Sequence, residues 1–267
     1  MSRKNGLLAY LNSLPFPLTI KHYFPFDAVT EKLKDGALNS SESWDVLRQS
    51  HDHFSISESR EEWLKTANAI VKKDGQDGGL LVRAKDVERI LERLKITSVF
   101  SAGVGGAGLE YQLKVAQPSL KLICSEYSPV NVEALKMVFL ECDEILLFDV
   151  KTSDWSIALR GVEPQTQLCL LYRVDIHLTN EEWKEAFRNM HNAGIKNVLF
   201  IVSGCVTARG LLNIWKARLQ SLLRGSSQAF AGYKRSKVTF TTFWRGLYAT
   251  EELECGGLQS FLLRRVD

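Results

Sequence analysis

Three glycines and one carboxylate carry the clearest chemistry in this sequence. Gly103, Gly105 and Gly108 satisfy the spacing G-x-G-x-x-G within Ser98-Val-Phe-Ser-Ala-Gly103-Val-Gly105-Gly106-Ala-Gly108-Leu-Glu110. That stretch reads as a strand entering a tight turn and then a helix, where bare backbone lets a nucleotide approach and the helix N-terminus offers free N–H groups. Glu126 lies 23 positions after Gly103, at the close of the next strand-like run, where a carboxylate can accept hydrogen bonds from both ribose hydroxyls. Turn and acid together point to a bound nucleoside. Farther along, Asp175 and His177 follow another strand-like run, where a base acting on a second substrate would sit. Tyr172, which closes that run, reads as half core.

The elements that must position these groups show two regimes. From Ser98 onward, β-rich apolar runs alternate with charge-bearing helical stretches, the pattern of a parallel sheet covered on both faces. Strands are expected at Ser98 to Ala102, Leu120 to Ser125, Glu144 to Phe148, Gln167 to Tyr172 and Asn197 to Val202. Helices are expected at Gly108 to Val115, Pro129 to Phe139 and Asn180 to Asn192, the last opened by Thr179 with Glu181 and Glu182 in its first turn. Val238 to Trp244 and Leu258 to Arg264 read as an antiparallel pair, because the joint between them is too short for a crossover helix. Residues 1–95 show no strand alternation, and helical patches fall at Phe26 to Lys34, Ser43 to His51, Arg60 to Lys72 and Ala84 to Leu94. The expected organisation is a helical extension or cap over 1–78, hinged at the Lys73 to Gly79 turn cluster, and an α/β catalytic domain over 79–267.

From about Ala84 onward the sequence resembles the class I S-adenosylmethionine-dependent methyltransferases. Ser101-Ala102-Gly103-Val-Gly105-Gly106 is similar to the family's first motif, whose backbone holds the methionine part of the cofactor. Ile123-Cys-Ser-Glu126-Tyr127-Ser128-Pro129 is similar to the second, an acid on the ribose followed by an apolar side chain against adenine. Leu146-Leu-Phe-Asp149-Val150 is similar to the third, whose acid takes the adenine amino group. Tyr172-Arg173-Val-Asp175-Ile-His177 follows the layout of the substrate-facing loop. The resemblance implies a seven-stranded, mostly parallel Rossmann-like sheet closed by the antiparallel pair, bound S-adenosylmethionine with S-adenosylhomocysteine as product, and methyl transfer to O or N of a small or medium-sized acceptor. Two departures matter: Ser101 stands where the family often has an acid, and there is neither an Asn-Pro-Pro-Tyr-like tetrapeptide nor a Pro-Cys dipeptide, which disfavours methylation of base amino groups and of cytosine C5.

Composition limits the remaining readings. The chain has 267 residues, 45% of them hydrophobic and 24% charged, enough for a full core and unlike disordered or fibrous sequences. No apolar run approaches a membrane span or a signal h-region, so a soluble, cytoplasmic protein is expected. Five unpaired-looking cysteines suit a reducing compartment and argue against a metal site. The net charge of +3 hides an asymmetry: residues 186–250 contain no acid and ten basic residues. Within them Arg209, Lys216 and Arg224 share a helical face with Asn213 and Gln220, while Leu212, Trp215, Leu219, Leu222 and Leu223 occupy the others. That basic helix is a solvated face or a dock for an anionic acceptor or RNA, which keeps an RNA or protein methyltransferase as an alternative. Arg60, Arg83, Tyr23, Phe24 and Phe26 read as a cap over the acceptor or as core. A methyltransferase-like binding protein without activity stays open on Ser101. Nicotinamide-dependent oxidoreduction is the remote alternative, since Tyr233 and Lys237 match a Tyr-x-x-x-Lys spacing but fall just ahead of an expected strand.

Overall fold

Short apolar runs separated by amphipathic helices build a layered α/β structure. The computed structural model describes residues 14–25, 56–57, 59–69, 79–223 and 228–266. The described chain begins with strand β1 (Thr19–Pro25) and helices α1 (Arg60–Ala69) and α2 (Leu80–Leu94). Strand and helix then alternate as β2 (Ser98–Ala102), α3 (Gly108–Ala116), β3 (Lys121–Glu126), α4 (Pro129–Val138) and β4 (Glu144–Leu147). After two short 3₁₀ turns come β5 (Gln167–Tyr172), α5 (Asn180–Asn192), β6 (Asn197–Ile201) and α6 (Ala208–Leu223). The chain closes with β7 (Gln228–Arg235), α7 (Lys237–Thr241), β8 (Tyr248–Cys255) and β9 (Leu258–Arg265). The helices expected at Phe26 to Lys34 and Ser43 to His51, and the turn cluster from Lys73 to Gly78, lie outside the described residues.

Seven strands form one sheet in the order β4-β3-β2-β5-β6-β9-β8. The first five are parallel, and β9 runs antiparallel to both β6 and β8. Every residue of β2 and β6 is buried, as expected of strands covered on both faces. On one face Val99, Leu122, Leu170 and Leu199 pack against α1 to α4; on the other Phe100, Ile123, Leu171 and Phe200 meet Trp155, Trp183, Phe187 and Trp244. Helix α2 buries Leu80, Ala84, Val87 and Leu91, one stripe at helical spacing, and Lys95 ends it in the left-handed conformation. Thr179 and Glu182 form a complete capping box that starts α5. Trp63 and Ala67 of α1 belong to the same buried cluster as the sheet residues, so the division at 78/79 falls between two helices that share one core face.

Three expectations are corrected. Val238 to Trp244 is not a strand: Lys237–Thr241 is a helix whose N-cap Ser236 accepts from the Thr239 N–H, and burial of Phe240, Phe243 and Trp244 overrides the β preference of its Val and Thr residues. The strand that pairs with Leu258–Arg265 is Tyr248–Cys255, turned at Gly256 and Gly257. The N-terminal region is not wholly helical, because β1 pairs antiparallel with β7 in a separate two-stranded ribbon.

Candidate functional site

Strand order reverses between β2 and β5, and in such sheets the crevice outside the strands' C-terminal ends is where ligands bind. The loops leaving these two strands are the Gly-rich turn and the segment Arg173 to Thr179. They touch: a Cβ on Gly103 would stand 2.5 Å from Val174 Cγ1. Gly103 (φ +72°) and Gly105 (φ +56°) are both left-handed, which side-chain-bearing residues rarely adopt, and around Gly105 and Gly106 there is open space. The turn is pinned to β3 by the Gly103 and Val104 N–H groups, both donating to the Ser125 carbonyl at 2.8 and 3.1 Å. No side chain caps α3, whose first residue is Gly108. The result is a cradle bare of side chains at Gly105 and Gly106, with a helix N-terminus behind it.

Glu126 stands beside this cradle. It is buried, and its carboxylate accepts from the Gly105 N–H at 2.8 Å and from the Ser128 N–H at 3.4 Å. Ser128 in turn caps α4 through the Asn131 N–H. Tyr127, next in the chain, is half-buried. Asp149, at the end of β4, uses its carboxylate locally, accepting from the Lys151 N–H and the Thr152 hydroxyl at 2.9 Å each. Val150 is half-buried against the second core face. Ser101 and Ala102 are buried in β2, and the Ser101 hydroxyl donates to Glu110 of α3 at 2.7 Å.

Across the crevice, Tyr172 accepts a hydrogen bond from Arg83 of α2 at 2.9 Å. Asp175 is only 2% exposed, and its carboxylate accepts from the Ser203 N–H at 2.7 Å, tying the β5 loop to the β6 loop. Burial pushes the Asp175 carboxyl up from its ordinary range. His177 is half-buried on the same loop.

Sequence reasoning passed over two anchors of the site. The first is Trp63 of α1, whose indole N–H donates to the Gly106 carbonyl at 3.0 Å, so the N-terminal region holds the Gly-rich turn directly. The second is Arg235, counted among the basic residues of an exposed-looking segment yet fully buried. Its guanidinium donates to the carbonyls of Asp175 and Leu178 and, at 2.8 Å, to Asn180 Oδ1. Burial lowers its pKa to about 10. Asn180 also bonds Thr19, and the Tyr233 N–H donates to the Ile176 carbonyl at 2.7 Å, so the β1–β7 ribbon is fastened along the β5 loop. A carbonyl-collecting arginine has no sequence signature; a basic residue inside a strand-like Ala-Gly-Tyr-Lys-Arg stretch was the available hint.

Other expected positions resolve differently. Arg60 pairs with Glu141 and clamps α1 to the end of α4, rather than facing an acceptor. Tyr23 lies under Arg218 of α6, with the guanidinium carbon 5.8 Å from the ring centre, whereas the side chain of Phe24 and all of Phe26 lie outside the described residues. On α6, Arg209 and Lys216 are exposed, but so are Leu212, Trp215, Leu219 and Leu223, and Arg224 is outside the described residues. Tyr233 sits in β7 and Lys237 at the start of α7, so the two are not one turn apart on a helix as reductase chemistry requires.

Comparison with known proteins gives this arrangement a family of folds. No protein-family model and no curated protein matches the sequence. Solved structures do match. Human N-acetylserotonin methyltransferase in complex with SAM aligns at TM-score 0.50 and 17% identity over 90% of this chain and 66% of that one. PigF with SAH aligns at 0.56 and 14% over 88% and 65%. The mitomycin 7-O-methyltransferase MmcR aligns at 0.50 and 16% over 90% and 76%. The chain has the class I S-adenosylmethionine-dependent methyltransferase fold. It spans about two thirds of the length of the first two neighbours. In this methyltransferase fold the Gly-rich turn, Glu126 and Asp149 lie at the ends of three adjacent strands, β2, β3 and β4, and Tyr172, Asp175 and His177 at the end of β5. Among the described residues no group of His, Cys, Asp and Glu could hold a metal, and no helix is long and apolar enough to cross a membrane.

Proposed function

We propose that the protein binds S-adenosylmethionine at the Gly103 to Gly108 turn and transfers its methyl group, in line, to an oxygen or nitrogen of a small or medium-sized acceptor beside β5. One observation carries this reading: the left-handed turn, bare of side chains at Gly105 and Gly106, lies at the reversal of strand order, with Glu126 fastened at its side. The open space at Gly105 and Gly106 fits such a cofactor. The names of two neighbours, an N-acetylserotonin and a mitomycin methyltransferase, support a small-molecule acceptor.

The backbone of Ala102, Gly103, Gly105 and Gly108 and the neighbouring Ser101 would hold the methionine part. Glu126 would bind the ribose, and Tyr127, Asp149 and Val150 the adenine. When bound, the cofactor supplies an electrophilic methyl on a sulfonium, so most of the rate comes from positioning, and a base is needed only if the acceptor starts protonated. His177 is the residue we assign to that proton, with Tyr172 lining the acceptor. Asp175, buried and held by Ser203, is assigned to shaping the loop, not to proton transfer.

Calorimetry with S-adenosylhomocysteine and NAD tests the reading on the wild type, Glu126→Ala and Glu126→Gln. S-adenosylhomocysteine is expected to bind the wild type and to weaken at least tenfold in both variants, as expected when a charged hydrogen-bond acceptor is lost. Folded protein that ignores S-adenosylhomocysteine but binds NAD would turn the reading toward oxidoreduction; if it binds neither, a scaffold without activity replaces both.

A further inference from the structure

Helix α6 presents its largest apolar side chains to solvent. Leu212, Trp215, Leu219 and Leu223 recur at helical spacing, so they form one stripe along the helix, and they are 71%, 66%, 59% and 79% exposed. Among the α6 residues with described side chains, Gly210, Leu211 and Ile214 are half-buried, the others are exposed, and none is buried. The helix forms on local terms: Thr207 accepts from the Gly210 N–H at 3.0 Å, and the run is rich in Leu, Ala, Lys and Arg, which favour helix. Its charge follows the same stripe. Arg209 stands one helical row from Leu212, and Lys216 between Leu212 and Leu219. Both are exposed, and neither side chain is ion-paired or hydrogen-bonded to a described residue. Arg218, also exposed, holds α6 to β1 across the Tyr23 ring. No acid occurs on α6 or anywhere from 186 to 250.

We propose that α6 docks the protein on an anionic lipid bilayer: the Leu212–Trp215–Leu219–Leu223 stripe sinks to the boundary of the acyl chains, and Arg209 and Lys216, along its border, meet the headgroup phosphates and carboxylates. The inference goes beyond methyl transfer and does not depend on it. Charge complementarity selects the occupant. A second copy of the chain, laid stripe to stripe, would set Arg209 and Lys216 against their own equivalents with no acid on either helix to answer them, and like charges so placed oppose association. RNA would answer the cations, yet three of the four stripe residues are leucines, which offer no ring for a base to stack on and would stay in water. A bilayer supplies anionic charge and apolar depth together, and a convex, single-helix stripe needs no matching groove to enter it. The helix also starts at the crevice end of the sheet, just after β6, where the Val206 N–H donates to the Arg235 carbonyl.

The test is co-sedimentation of the full chain with vesicles of phosphatidylcholine alone and of phosphatidylcholine with about 30% phosphatidylserine. The wild type is expected to bind the phosphatidylserine vesicles at least tenfold more tightly than the neutral ones, and to lose most of that preference between about 0.1 M and about 1 M salt. Arg209→Glu with Lys216→Glu, and separately Trp215→Gln with Leu219→Gln, are each expected to weaken binding to the phosphatidylserine vesicles at least tenfold with the melting temperature unchanged, since all four side chains are exposed. Lys65→Glu with Lys136→Glu makes the same change of charge on exposed residues of α1 and α4 and is expected to bind like wild type. Equal binding to both kinds of vesicle, binding that survives Trp215→Gln with Leu219→Gln, or an equal loss in the Lys65/Lys136 control overturns the inference. So does failure to bind vesicles, whether sedimentation equilibrium then shows a dimer that Trp215→Gln with Leu219→Gln dissolves, polyuridylate binds through Arg209 and Lys216, or neither occurs. S-adenosylhomocysteine binding is read separately in the same variants, so the proposed function stands or falls on its own result.

Discussion

Single residues set the shape and charge of the cradle, and two glycines separate shape from folding. Gly103→Ala would force a left-handed alanine against Val174 and is expected to cost roughly 1–3 kcal/mol in urea unfolding and to abolish S-adenosylhomocysteine binding. Gly106 has no positive φ and nothing near its missing Cβ, so Gly106→Ala is expected to leave the melting temperature unchanged while weakening binding at least tenfold, because the new methyl occupies the cradle. Equal loss of stability in both variants would contradict that distinction. Glu110 gives a stability signature of its own. Its carboxyl rises from the ordinary value of 4.5 to about 7 in the folded chain, so between those values the native state holds a proton that the unfolded state has lost. The contribution of the protonated carboxyl is complete below pH 4.5, is lost as the pH climbs through 7, and is absent above. Glu110→Gln is therefore expected to gain stability relative to wild type from pH 5 to pH 8, approaching about 3 kcal/mol at the upper end, measured by denaturant titration at each pH. None of this was visible in the chain as a string. Gly103, Gly105 and Glu126 announce themselves by spacing, whereas the buried setting of Glu110 exists only once α3 folds back onto Ser101.

Elements that bury both faces were legible because their apolar runs are unbroken; those defined by distant partners were not. Strand β2 lies at Ser98–Ala102 and β5 at Gln167–Tyr172, the positions their composition indicates. Strand β8 carries Glu251, Glu252 and Glu254 at the sheet edge, where one side faces water, and its acids hid the alternation. Strand β1 depends on β7, some two hundred residues away, and no local pattern announces such a pair. Helix α7 shows local preference yielding to tertiary context: Val238, Thr239 and Thr241 favour strands, but Ser236 supplies the cap and Phe240 the buried anchor. Ser236 does more than cap, since its hydroxyl also accepts from the Leu18 N–H and donates to the Phe16 carbonyl, joining the start of β1 to α7. Ser236→Ala is thus expected to cost about 2 kcal/mol, near the top of the range for a lost N-cap, while Ser236→Thr retains most of it; chemical denaturation of both variants provides the check.

At the scale of the molecule, the crevice joins two supports that differ in how they are held. The wall to which we assign the cofactor, formed by β2, β3 and β4 with α1 to α4, is tied by sheet pairing and continuous core packing. The wall proposed for the acceptor depends on the β1–β7 ribbon, which is outside the main sheet and reaches the β5 loop through Arg235, Asn180 and the Tyr233 N–H. Local stability follows buried contacts, so the ribbon and the segment 175–178 are expected to open together, below the free energy at which β2, β5 and β6 open. Arg235→Met keeps much of the side chain's volume while leaving the Asp175 and Leu178 carbonyls without their donor. In native-state hydrogen exchange the amides of Ile176 to Leu178 and Gly232 to Tyr233 should then exchange at least tenfold faster, with those of β2 and β3 unaltered. S-adenosylhomocysteine affinity should stay within twofold of wild type, because the hydrogen bonds that fasten the Gly-rich turn run to the Ser125 carbonyl, the Glu126 carboxylate and the Trp63 indole. Uniform acceleration across the sheet, or loss of S-adenosylhomocysteine binding in proportion, would mean that the two sides fold and bind as one unit. The assignment of cofactor and acceptor to separately supported walls would then fail.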